Sequence, residues 1–124
     1  EFICPWTERR IRKSTKYDMD HVLPVSIYPI NEMWNLVPSD PSFNSNTKRN
    51  RIPKLDRLQK AEPHLGCTYA TYERSSALAE ALREDVDVRF ATIQTKDADF
   101  SSSVARAVVQ FIDQVGTSRN LARF

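Results

Sequence analysis

The spacing of apolar residues predicts a helical second half of the chain. Beyond residue 53, apolar side chains recur every three or four positions, which places them on one face of a helix. The clearest helix is predicted over 101–115, with a serine at 101–103 as its cap and Gly116 as its end. Its apolar face is formed by Val104, Val108, Phe111, Ile112 and Val115.

Further helices are predicted between residue 53 and this last one. The pattern over 55–65 indicates a helix face that Pro63 and Gly66 interrupt. Residues 72–83 are typical of an amphipathic helix. Residues 85–92 alternate between apolar and charged side chains, which fits a strand. The same run also fits a continuing helix, so both interpretations stay open.

The first half of the chain is rich in proline and turn residues and shows no long helical pattern. Prolines discourage a helix at six places, namely Pro5, Pro24, Pro29, Pro38, Pro41 and Pro53. We predict short strands over 3–6, 10–12 and 18–21. The first two strands are expected to form a hairpin across 7–9.

A loop and a short helix are predicted to complete the first half. The loop covers 25–40, and the helix runs from Pro41 or Ser42 to about Asn50. Ser42 is the expected N-cap, and Pro53 prevents the helix from continuing. Short strands followed by helices indicate an α+β fold.

Length and composition set the broad class of the protein. A chain of 124 residues with 40% hydrophobic content forms one small domain, with or without an appendage. No run approaches the roughly 20 apolar residues of a membrane span, and the start does not resemble a signal peptide, so we expect a cytoplasmic location without membrane contact. Because the chain does not begin with methionine, we expect it to be part of a larger polypeptide.

The two cysteines, Cys4 and Cys67, are too few for a four-cysteine zinc site. Without a secretory signal we expect no disulfide between them. We interpret both as buried small hydrophobic residues, and we expect no structural zinc.

Positive charge is clustered, although the net charge is only +2. One cluster precedes the Asp20-His21 pair and consists of Arg9, Arg10, Arg12, Lys13 and Lys16. A second cluster follows Asn44 and consists of Lys48, Arg49, Arg51, Lys54, Arg57 and Lys60. Each cluster alone is typical of a solvated surface. Together they flank the polar motif described next, where they would neutralise phosphates and attract a polyanion.

Four polar residues in the first half have the chemistry of a phosphodiesterase site. Asp20 and Asn44 offer oxygen ligands to a hard divalent cation such as Mg²⁺ or Mn²⁺. Histidine is the natural general base because its unperturbed pKa lies near neutrality, so His21 can take a proton from an attacking water. On an extended segment Asp20 and His21 point to opposite sides, so one can serve the metal and the other the water. Asn35 can hold the histidine loop through its amide.

The order of these residues resembles the HNH endonuclease family. The resemblance rests on Asp20-His21-x-x-Pro24, Trp34-Asn35-Leu36-x-Pro38, Asn44, Lys48 and Ile52-Pro53. It covers residues 4 to about 55 and is closest to the branch without zinc-binding cysteines, which is common among bacterial restriction and antiviral defence nucleases. The family usually places its lysine three residues after the asparagine ligand, whereas Lys48 is four after Asn44 and two after Asn46. Asn46 therefore stays open as an alternative ligand.

The resemblance implies a ββα-metal core over 1–55 that cleaves DNA with one metal. His21 would be the general base and Asn35 would brace its loop, with Asp20 and Asn44 as metal ligands. The expected DNA contacts are Lys48, Arg49, Arg51, Arg10, Arg12 and Lys13. Because one such site cuts one strand, double-strand cleavage would need a homodimer or a second event.

Residues 56–124 match no motif, and we expect a mostly helical extension that packs or contacts a protein. The alternative functions are a catalytically silent DNA-binding module and a protein-interaction domain.

Overall fold

The computed structural model describes residues 2–94 and 98–124. Within these residues four short strands form, β1 (Phe2–Ile3), β2 (Arg10–Ile11), β3 (Asp18–His21) and β4 (Leu36–Ser39). The α-helices are α1 (Pro41–Phe43), α2 (Leu55–Tyr72), α3 (Ser76–Arg89) and α4 (Phe100–Ser118). A 3-10 turn at Met33–Asn35 precedes β4, and a π-helical turn at Asn44–Lys48 continues α1. Small sheets combined with helices confirm the α+β class.

The first two strands form the predicted hairpin, although each is shorter than predicted. β1 and β2 pair antiparallel, with Phe2 opposite Ile11 and Ile3 opposite Arg10. The connection is closed by two backbone hydrogen bonds, Cys4 N–H to Arg9 O and Glu8 N–H to Cys4 O, both 2.9 Å.

The second sheet pairs β3 with β4, and it positions the Asp-His pair. β3 has the bounds predicted for it, and Asp20 lies opposite Val37 while His21 lies opposite Leu36. β4 falls inside the region 25–40 that was predicted as loop. Pro38 hides the strand from pattern analysis, because proline cannot donate to a ladder, but an open edge tolerates it.

The helix after β4 begins at Pro41 as predicted, but Asp40 caps it instead of Ser42. The Asp40 carboxylate accepts a hydrogen bond from Ser42 N–H at 3.0 Å. After Phe43 the hydrogen bonding widens to the π pattern, with Arg49 N–H donating to Asn44 O at 2.9 Å. Arg49 has a φ of 51°, and this left-handed conformation ends the helix before the predicted Asn50.

The helical half differs from the prediction at several places. α3 begins at Ser76 and not at Tyr72, and the N-cap residue of α4 is Asp99 and not a serine. α2 continues through Pro63 and Gly66; Pro63 and Gln59 are both exposed, so the carbonyl that Pro63 leaves unpaired can bind water. α3 extends to Arg89, so the strand interpretation of 85–92 is wrong and the helix interpretation is confirmed up to that residue. α4 passes through Gly116, which is buried there and not an end signal.

One hydrophobic cluster joins the two halves of the chain. It contains Trp34 and Val37 from the first half together with buried residues of α2, α3 and α4. The end of the chain returns to the segment after the π-helical turn, where Phe124 N–H donates to Ile52 O at 2.8 Å and Lys54 N–H donates to Phe124 O at 2.8 Å. The helical half therefore packs directly on the segment that carries the motif.

Both cysteines are free thiols, and only one has the predicted environment. Cys4 is buried, and its sulfur accepts a hydrogen bond from Asp40 N–H at 3.3 Å. Cys67 lies on the exposed side of α2, which corrects the expectation that both are buried. Within the described residues, every helix is too short or too polar to cross a membrane.

Candidate functional site

The acidic residues of β3 share one side of the strand, and the helical segment after β4 covers that side. Side chains alternate along a strand, so Asp18 and Asp20 project together and away from His21. The Asn44 amide nitrogen donates to Asp18 Oδ2 at 3.3 Å. Asn44 thus comes to the acidic side of β3, whereas Asn46 is exposed.

Lys48 is buried beneath this acidic side. Its Nζ lies 3.1 Å from Asp20 Oδ2 and donates to the backbone oxygen of His21 at 3.0 Å. The Lys48 side chain is 1% exposed and that of Asp20 is 18% exposed. This position differs from the surface phosphate contact expected from the resemblance, because the ammonium already has two partners inside the protein.

The Asp20 carboxylate has one oxygen that is short of ligands. Oδ2 is shielded from solvent and accepts no hydrogen bond from the part of the chain that the structure describes. Its contact with Lys48 is therefore an ion pair and not an aligned hydrogen bond. A shielded carboxylate oxygen that accepts no hydrogen bond is able to ligate a hard cation, although the Lys48 ammonium already lies beside it.

The imidazole of His21 is held by a residue that the motif did not indicate. His21 Nε2 lies 3.2 Å from Asn31 Oδ1. With the amide oxygen facing the ring, the neutral tautomer that makes this bond carries its proton on Nε2 and has its lone pair on Nδ1. Asn31 comes ten residues later in an irregular loop, so no spacing rule could have identified it.

Asn35 is fully buried and bonds the backbone just after His21. Its Oδ1 accepts from Leu23 N–H at 2.8 Å, and its Nδ2 donates to Leu23 O at 3.0 Å. The Asn35 carbonyl also accepts from Val22 N–H at 2.9 Å. Both the side chain and the main chain of Asn35 therefore fix the path of the backbone as it leaves β3.

The helical half contacts the segment 27–36, which connects His21 to β4. Arg89 of α3 binds the Glu32 carboxylate with two nitrogens, at 3.2 and 2.6 Å. Glu32 also accepts from Trp34 Nε1 at 2.7 Å. The hydrogen bond from Arg89 keeps the pKa of Glu32 below its usual range, although burial opposes that shift.

Two tyrosines of α2 donate hydrogen bonds to the backbone of the same segment. Tyr69 donates its hydroxyl to Trp34 O at 2.6 Å, and Tyr72 donates to Leu36 O at 2.7 Å. Burial raises the pKa of both phenols, so they stay neutral donors near neutral pH.

The basic residues predicted to contact DNA are mainly on the surface. Arg10, Arg12, Lys13 and Arg49 are exposed. Arg51 is half-buried, and its guanidinium donates to Thr47 O. Lys48 is the one among the six predicted DNA contacts that the fold buries.

The donor set fits a cation that prefers oxygen. Among residues 2–94 and 98–124, no three side chains of histidine, cysteine, aspartate or glutamate come together as a metal cluster. Mg²⁺ needs fewer protein ligands, because it keeps several waters and uses one or two carboxylates. Asp20 fits that requirement. Asn44, whose amide lies against Asp18, could offer its oxygen on the same side of β3 if the amide oxygen and nitrogen were exchanged, which would give up the hydrogen bond to Asp18.

Comparison with known proteins finds a family model that matches the first half. Residues 4–54 match the family model described as HNH endonuclease. This segment contains β3, β4, the π-helical turn and the residues quoted for the resemblance, so this part of the chain is similar to the HNH endonuclease family. The match spans less than half of the chain. No curated protein and no solved structure matches the chain.

Proposed function

We propose that the protein is a metal-dependent endonuclease that hydrolyses DNA phosphodiester bonds. The observation that carries this proposal is the arrangement of the family-matched segment. Asp20 projects from the acidic side of β3, which Asn44 contacts through Asp18, and His21 projects from the opposite side, where Asn31 binds its imidazole. We further propose that residues 1–55 are the ββα-metal catalytic unit and that residues 56–124 support it.

His21 is the general base of the proposed reaction. With a proton on Nε2 and Asn31 as its acceptor, Nδ1 can take a proton from water. The water oxygen then forms a bond to phosphorus, the bond from phosphorus to the 3′ oxygen breaks, and that oxygen takes a proton from solvent. Asn35 keeps the backbone beyond His21 in place and does not touch the substrate.

Asp20 and Asn44 are the proposed ligands of Mg²⁺ or Mn²⁺, and Asn46 is the alternative to Asn44. When bound, the cation would neutralise the phosphate and the departing oxygen. The exposed cations of the two basic clusters would bind phosphates on either side, which orients DNA without reading its sequence. The family match supports DNA as the substrate. A restriction or antiviral defence role is the biological setting that we propose.

Supercoiled plasmid tests this function most directly. We expect nicking in Mg²⁺ or Mn²⁺ and none in EDTA, and we expect His21→Ala to lose cleavage while it retains its fold and DNA binding. His64→Ala is the matched control, because His64 is the chain's other histidine and lies on α2 with its Nε2 3.6 Å from Glu8 Oε1. Near-normal cleavage by His21→Ala would remove that residue from the mechanism.

The same assay separates the alternatives. Salt-dependent DNA retention without cleavage in any metal would indicate a silent DNA-binding module. Neither cleavage nor retention by a folded protein would direct attention to a protein-interaction role.

A further inference from the structure

We infer that α3 and α4 position the His21 imidazole by holding the loop that carries Asn31. This inference rests on the proposed function, because it assigns to the helical half a role in the same site. The loop, defined here as residues 25–32, begins just after the backbone that Asn35 fixes. Its contact with the imidazole is the bond from His21 Nε2 to Asn31 Oδ1 at 3.2 Å.

An exposed asparagine in an irregular loop cannot fix an imidazole unless the loop itself is fixed. Loop backbone samples many conformations, and ordering each residue costs about 1–2 kcal/mol. Asn31 is exposed, so packing around its own side chain does not supply this order. The contacts that do supply it lie on both sides of Asn31, and they come from helices more than fifty residues away in sequence.

The first anchor is the Glu32 carboxylate, next to Asn31 in the chain. Arg89 binds it with two nitrogens, and the carboxylate side chain is only 16% exposed, so solvent screens the pair weakly. One residue further, Met33 N–H donates to Asp85 Oδ2 at 2.8 Å. Asp85 and Arg89 both belong to α3, so this helix fixes the chain immediately after Asn31.

The second anchor lies before Asn31 and involves Tyr28. The Arg119 guanidinium carbon lies 4.8 Å from the centre of the Tyr28 ring, and Arg119 Nη1 donates to Ile27 O at 3.1 Å. The Tyr28 ring also contacts Phe111 of α4 edge to face, with 5.8 Å between ring centres. The loop is thus held at 27–28 by α4 and its following residue, and at 32–33 by α3.

These two anchors leave Asn31 within a short span whose ends are fixed. Arg89 links them, because its Nη1 also lies 3.5 Å from the Tyr28 hydroxyl. Loss of Arg89 would release Glu32 and weaken the Tyr28 contact together. Arg89 is therefore a positioning residue that acts through Asn31, and Asn31 is a positioning residue that acts on His21.

A double-mutant cycle tests this order of action. We expect Asn31→Ala to lower kcat about tenfold, because one hydrogen bond of ordinary strength holds the productive imidazole orientation, and to leave KM for DNA unchanged. We expect Arg89→Ala to lower kcat by a similar factor. If Arg89 acts through Asn31, the double variant should be no slower than Asn31→Ala alone. Losses that multiply in the double variant would overturn the inference, and so would an unchanged kcat in either single variant.

Two further variants control the cycle. Arg83→Ala removes an arginine of the same helix whose partner is Glu73 at the end of α2 and not a residue of the loop, with Arg83 Nη2 3.1 Å from Glu73 Oε2. We expect its kcat to equal that of the unmodified protein. Asn31→Asp keeps an acceptor oxygen for Nε2–H, and we expect it to restore most of the rate lost in Asn31→Ala. A kcat loss in Arg83→Ala equal to that of Arg89→Ala would overturn the specific role of Arg89.

A measurement on the metal-free protein separates failure of this inference from failure of the proposed function. Hydrogen exchange should accelerate at amides of 25–33 in Arg89→Ala, and nitrogen chemical shifts should show His21 losing its preference for the Nε2–H tautomer. Both changes in a protein that never cleaves DNA would retain the positioning network and refute only the nuclease. Unchanged exchange and an unchanged tautomer would overturn the inference, whatever the activity.

Discussion

Replacing Lys48 by methionine removes a buried ammonium while it preserves most of the apolar stem. Lys48 is 1% exposed and pairs with Asp20 at 3.1 Å, and it also donates to the His21 carbonyl. Removing one partner of a fully buried ion pair costs about 3–5 kcal/mol, because the remaining charge is left without compensation. Asp20 is 18% exposed, so solvent recovers part of that cost. We expect the free energy of unfolding in EDTA to fall by about 3 kcal/mol, which corresponds to a melting temperature lower by about 10 °C.

The control for this prediction is Lys60→Met. Lys60 is 77% exposed and lies 3.9 Å from Glu8, so its removal should change stability by less than about 0.5 kcal/mol. Urea unfolding of both variants in EDTA is the measurement. Equal stability of the two variants would refute the reasoning, because it would mean that Asp20 does not depend on the buried cation.

The same comparison bears on the metal. With Lys48 removed, a divalent cation at Asp20 would replace the missing positive charge and stabilise only the folded state. We therefore expect saturating Mn²⁺ to raise the stability of Lys48→Met more than that of the unmodified protein. A second variant that combines Lys48→Met with Asp20→Asn should recover stability in EDTA and lose the response to Mn²⁺, because neither buried charge remains. An Mn²⁺ response that persists in this double variant would place the cation elsewhere.

Three further predictions concern the ligand, the helices and pH. Calorimetry with Mn²⁺ should show weaker binding in Asn44→Ala than in Asn46→Ala, because only the first contacts the acidic side of β3; equal effects would reopen the choice of ligand. Gly116→Ala should lower stability by about 1–2 kcal/mol in urea unfolding, since the new methyl group overlaps neighbouring side chains, whereas Gly66→Ala, with its nearest neighbour at 3.9 Å, should raise stability by up to about 1 kcal/mol. Glu32→Gln should be less stable than the unmodified protein near pH 7. The difference in unfolding free energy should shrink as pH falls through the lowered pKa of Glu32, because a carboxyl group with a depressed pKa stabilises the fold only while it is ionised. A pH-independent difference would contradict that assignment.

The helical half changes how the site is understood. Sequence patterns describe residues 56–124 as an extension without a motif, and its charge balance favours a packing role. The structure shows where that packing occurs, because Arg89, Tyr69 and Tyr72 bind the segment between His21 and β4. A truncated protein ending near residue 55 would therefore lack the contacts that order this segment.

The sequence by itself determined the secondary-structure elements and side-chain directions that depend only on residues close together in the chain. The hairpin of β1 and β2, the strand β3, the start of α1 and the opposite projection of Asp20 and His21 all follow from short-range pattern and backbone geometry. The ordered polar motif also indicated the similarity to HNH endonucleases, and the family model matches the same segment.

Tertiary packing alone decided the remaining features, because each depends on partners distant in sequence. β4 exists because β3 pairs with it despite Pro38. Lys48 is a buried partner of Asp20 because the π-helical turn packs against β3. The bond from Asn31 to His21 requires a loop that α3 and α4 hold from afar. Periodicity reports which face of an element is buried, but it carries no information about which distant side chain will meet that face.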